Sequence, residues 1–157
     1  MGDSSLQKTW YDSHLGNHLS QRTGLWVYKS DELYISLKSG HDSIVHKHVD
    51  DSSITLRYRG TDFVVDSGFC SYDYRDPRVP MLKTQRAHSG LFFRELDMEL
   101  PAKMYRNRRM AAAIFGHGDE GAIAHYTVDG LHTVTRSISI SRDHCIEMTD
   151  VFRSQKN

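Results

Sequence analysis

Short runs of alternating apolar and polar residues dominate this chain, and they leave little room for anything but a β fold. LWVYKS, ELYISLKS, SSITLRYRG, TDFVVDSG, AIAHYTV, HTVTRSISISR and HCIEMTDVF each have the period of two that a strand with one buried face requires. In SSITLRYRG, Ile54, Leu56 and Tyr58 fall on one face and Thr55, Arg57 and Arg59 on the other. Gly, Asp, Ser and Asn punctuate the runs, as turns require, and RGTD (59–62) reads as a hairpin loop. Helical pattern is scarce. Residues 100–116, LPAKMYRNRRMAAAIFG, have helix-forming composition but no clean apolar face, so a short helix and a strand preceded by a loop both stay open. Two of the three prolines sit in DPRVP, which makes residues 72–86 an irregular excursion between strands. The expectation is one all-β domain over residues 1–157, an antiparallel β-sandwich with little helix.

At 157 residues and 38% hydrophobic, the chain can bury a core of its own. Lys plus Arg equals Asp plus Glu at 20 each, so bulk charge selects neither nucleic acid nor a membrane surface. The two cysteines, Cys70 and Cys145, lie far apart and outside any CxxC spacing, which excludes a disulfide scaffold or a cysteine-rich zinc site but leaves their pairing open. The first residues carry no apolar core of a signal peptide, and no run reaches membrane-spanning length.

Ten histidines are many for a chain of this size, and two of them stand in HKHVDD (46–51). On an extended strand His46 and His48 would face the same way. Asp66 closes the next hairpin in VVDSG, and His88 follows the excursion in RAHSG. Two imidazoles, one carboxylate and an open position suit zinc; a solvated strand end with an Asx turn at Asp66 is the plainer alternative. For Asp50 and Asp51 the reading is hydrogen bonding to the loop that follows. Gly40, His46, His48 and Gly60 also reproduce most of a first cupin motif, but Ser53 stands where that motif needs a glutamate, and no PxG–His half follows.

The stretch HKHVDDSSITLRYRGTDFVVDSGFCSYDYRDPR…TQRAHSG resembles the C-terminal β-sandwich domain of the heparinase II/III-like polysaccharide lyases. The similarity is carried by the ordered set His46, His48, Asp66, Gly68, Tyr72 and His88, and continues through LHTVTRSISI and TDVF. It implies that His46 is the sandwich-borne catalytic histidine and that His48, Asp66 and His88 hold a structural zinc. It also implies β-elimination on an anionic, uronate-containing polysaccharide, of glycosaminoglycan or alginate type. Tyr72 and Arg86 are the candidates for substrate contact. The family's usual Asn after the last histidine is Ser89 here. Its helical toroid, which brings further catalytic groups, is absent from this sequence and becomes a partner domain, in the same chain or another. Resemblance places such a protein in the periplasm or outside the cell, and an apolar face left for the toroid would favour homo-oligomers. Three rivals remain: a cupin-like metal-dependent enzyme, a non-catalytic carbohydrate-binding sandwich, and an inactive relic.

Overall fold

The computed structural model describes residues 15–41, 47–91, 93–94, 112–116, 120–128, 132–143 and 145–155. The first five strands form one antiparallel sheet in sequential order: β1 (Gly16–Ser20), β2 (Leu25–Lys29), β3 (Leu33–Lys38), β4 (Ser53–Tyr58) and β5 (Thr61–Val64). A second sheet, again in chain order, holds β6 (Ala112–Gly116), β7 (Gly121–Val128), β8 (His132–Ile140) and β9 (Ile146–Ser154). In the chain between β5 and β6 come a short helix α1 (Arg78–Leu82) and one turn of 3-10 helix, Gln85–Ala87.

Alternation determines which residues enter the core. In β3, Leu33, Ile35 and Leu37 are buried and face Tyr58, Leu56 and Ile54 across the β3–β4 register. From the other sheet Ile114, Ala122, Ala124, Ile138 and Ile140 join them, with Trp26 and Tyr28 of β2, in one apolar cluster. This is the predicted β-sandwich. A smaller cluster of Val49, Tyr126 and Val134, packed by Leu91 and Phe93, fastens the loops at one end of the sandwich to the second sheet.

RGTD forms the expected hairpin loop. Arg59 and Gly60 both have positive φ (47° and 78°), the combination that a two-residue turn matching strand twist demands. Gly24 needs its lack of a side chain for a second reason: at φ +67°, an added Cβ would overlap the Ser39 carbonyl oxygen. Two elements went unread in the sequence. β1 is almost wholly exposed, and α1 starts just after Pro77 in the predicted excursion, where proline's missing N–H costs nothing. The open reading of residues 100–116 resolves to a strand at β6; residues 100–111 lie outside the described residues.

Candidate functional site

Three of the four residues singled out around HKHVDD come together at one end of the sandwich. Asp66 lies two residues beyond β5, and its Oδ1 accepts the Gly68 amide at 2.8 Å, the Asx turn that DSG suggests. Its Oδ2 meets His88 Nδ1 at 2.7 Å. The His88 side chain is 2% exposed, and its Nε2 is buried without a protein partner. The His48 ring lies beside it, centroid to centroid 5.3 Å. Burial, then the neighbouring His88, lowers the His48 pKa below the ordinary imidazole value, which favours the neutral ring.

At Lys47 and His48 the strand geometry expected for HKH is corrected. Lys47 and His48 lie on irregular backbone that ends in a turn at Asp51 and Ser52, so no strand pleat aims His48. Position comes from tertiary bonds instead: Val49 N donates to Lys83 O at 3.0 Å, tying the segment to the end of α1. His46 lies outside the described residues. Asp50 and Asp51 are also corrected. Rather than bonding forward, both carboxylates pair with the buried Lys47 ammonium, and Asp51 Oδ1 accepts the Gly40 amide at 2.8 Å. Burial alone would raise the Asp50 pKa, but Lys47 and Lys38 outweigh it and hold the carboxyl below its usual range.

Among the described residues no three His, Cys, Asp or Glu side chains already form a closed ligand set. The reason is visible in the distances. Asp66 and His88 bond each other, and the His48 ring stands tilted at 44° to the His88 ring with centroids 5.3 Å apart. The fit to a zinc ion is nonetheless good in chemistry: two imidazoles and a carboxylate, with one buried nitrogen that has no partner among the described residues.

A residue the sequence reading passed over holds this corner in place. Arg136 of β8 is 5% exposed. Its Nε and Nη2 donate to both oxygens of Asp150 at 2.7 Å, and its Nη1 donates to Ser52 O and Ser89 O, each at 2.8 Å. Ser52 has φ +65°, a conformation that such a bond helps maintain. Ser89 N donates to Ser53 Oγ at 3.2 Å, Ser53 Oγ donates to Asp66 Oδ2 at 3.4 Å, and Ser89 Oγ donates to Val65 O at 3.1 Å. Ser89, where the resembling family has Asn, is thus bonded to the loops on both sides of the His88–Asp66 pair. The available signal was phase: Arg136 shares its strand face with Val134 and Ile138, a charge on an apolar row.

Tyr72 is exposed and packs against Phe69 with ring centroids 4.6 Å apart. It lines a small hollow with His48, Cys70, Tyr74 and Lys83, and the Lys83 ammonium sits over the Tyr74 ring at 4.7 Å. Arg86 is exposed on the 3-10 turn two residues before His88. A larger cleft of about 750 Å³ runs from Lys29 and Tyr34 to Asp66. There Asp31, Glu32, Asp62 and Asp66 outnumber Lys29 and Arg57, the wrong balance for a polyanion. Cys70 and Cys145 are both free and exposed.

Comparison with protein families matches residues 16–156 to the family described as Heparinase II/III-like, C-terminal. Searches of curated proteins and of solved structures return no match. The matched span contains both sheets, the His48–Asp66–His88 group and the Arg136–Asp150 pair. The chain belongs to the heparinase II/III-like C-terminal domain family.

Proposed function

We propose that this sandwich is the C-terminal half of a polysaccharide lyase that cleaves a uronate-containing anionic polymer by β-elimination. Family membership supports the lyase class, and one observation carries the reading to this chain's own residues: His48, Asp66 and His88 converge beside a hollow lined by Tyr72, Tyr74 and Lys83. Elimination at a uronate needs the C5 proton removed, the carboxylate neutralised, and the departing C4 oxygen protonated as the C4–C5 double bond forms. His46, two residues before His48, is the base in this reading, since imidazole titrates near neutrality. Tyr72 offers a stacking face, and Arg86 a fork for carboxylate or sulfate.

His48, Asp66 and His88 would hold a zinc ion. It would supply rigidity, fastening the His48 segment to the loops after β5 and before residue 89; proton abstraction from carbon calls for no metal-bound hydroxide. The cupin alternative loses ground on topology. Each sheet is a meander in chain order, whereas a jelly roll passes its strands back and forth between sheets.

Neutralising the uronate and protonating the leaving oxygen require groups beyond His46, and a helical toroid, in the same polypeptide or another, is their proposed source. The test is an elimination assay on heparan sulfate, chondroitin sulfate and alginate, read as unsaturated-uronate absorbance. The isolated 157-residue chain should be silent, and the chain joined to or mixed with a family toroid should be active in a His46-dependent way. Activity that survives His46→Ala, or robust cleavage by the isolated chain, would overturn the assignment. Retention of sugar binding without cleavage in the combined form would favour the non-catalytic sandwich.

A further inference from the structure

We propose that β9 is a dimerisation edge, pairing antiparallel with β9 of a second copy of this chain across a two-fold axis at Asp150. β9 is the last strand of its sheet, nine residues long, paired residue for residue with β8 and without a bulge. No proline interrupts it. Among the described residues no further strand lies beside it, so alternate backbone N–H and C=O groups along its other edge are open to pairing. Natural sheets usually blunt such an edge, and this one is neither short nor kinked.

The inward face of β9 points to the same partner. Met148 and Phe152 are 46% and 49% exposed, while their register partners Ile138 and Val134 on β8 are 1% and 0%. An apolar row therefore continues from the core onto β9 and stops there half covered, Phe152 lying against Phe93 and His132 with Met148 on the same face. Val151, on the opposite face, is also exposed.

The sequence of β9 is complementary to itself. With the axis on Asp150, antiparallel pairing sets Glu147 opposite Arg153, Met148 opposite Phe152 and Thr149 opposite Val151, each pair occurring twice. Opposite charges meet, apolar residues meet on the inward face, and a β-branched pair meets on the other. Moving the axis to Thr149 or Val151 loses the charge pairing: Glu147 would then face Val151, or Arg153 would face Thr149. The axial residue is the only charge set against itself, and it arrives already held by the Arg136 guanidinium on both oxygens. This inference stands apart from the lyase reading, because it uses neither the metal group nor His46.

Sedimentation equilibrium of the 157-residue chain from micromolar to hundreds of micromolar should show a monomer–dimer equilibrium. Glu147→Arg alone and Arg153→Glu alone each place like charges opposite each other and should shift the chain to monomer, with unchanged far-ultraviolet circular dichroism. Mixing the two variants restores every opposite-charge pair and should recover a heterodimer, as should the double charge swap within one chain. A monomer at all concentrations would overturn the proposal, as would a dimer indifferent to these substitutions, which would place the contact on another face.

Discussion

With zinc held by His48, Asp66 and His88 as proposed, a chelator is expected to lower the melting temperature of the chain by on the order of 10 °C. A ligand present at about a thousand times its dissociation constant, bound only by the folded state, stabilises it by about 4 kcal/mol, and each kcal/mol shifts a domain of this size by roughly 2–4 °C. His48→Ala should reproduce the loss, because His48 belongs to a segment that no strand holds. Truncation also removes packing against His88, so the informative comparison is the chelator effect in each protein. The wild type should respond and the His48→Ala variant should not. Differential scanning calorimetry with and without chelator checks this. Equal melting temperatures for wild type in both conditions would remove the metal from the account.

Arg136→Met should destabilise the chain by about 3 kcal/mol or more. The Arg136 side chain is 6% exposed and that of Asp150 30% exposed, so the carboxylate left behind is only partly solvated. Removing one member of a buried pair typically costs about 3–5 kcal/mol, and water reaching Asp150 argues for the lower end. Two further acceptors, Ser52 O and Ser89 O, lose the same donor. Because Ser89 follows His88 directly, zinc affinity should fall along with stability. Arg136→Lys cannot span both Asp150 oxygens and two carbonyls, so it should rescue only part of either loss. Urea unfolding would measure the first effect and a competing chromogenic chelator the second. A change within about 0.5 kcal/mol, the range of ordinary surface substitutions, would contradict the role given to this guanidinium.

The fold was legible wherever one face of a strand is wet and the other dry. SSITLRYRG shows this best, since Ile54, Leu56 and Tyr58 all face the core. β1 hid because its GNHLS is exposed at almost every position, so no alternation marks it. The site was legible only in part. His48, Asp66 and His88 lie within 40 positions of one another in a motif that a family resemblance can carry. Arg136 reaches Ser52 across 84 positions and Ser89 across 47, and no local pattern announces such a bond. The HKH pair misled in one respect. It reads as a strand, but the buried Lys47 between its histidines turns into a carboxylate pair, and the backbone there is irregular. A cation that must reach Asp50 and Asp51 three and four residues onward favours a turn over an extended chain.

His48, Asp66 and His88 are proposed to form one metal centre in a lyase sandwich. Anomalous diffraction from crystals of the chain purified without added metal, recorded on both sides of the zinc absorption edge, tests it most directly. A single peak per chain is expected, within about 2.0–2.2 Å of donor atoms from all three side chains. No peak, or a peak held by other residues, would contradict it.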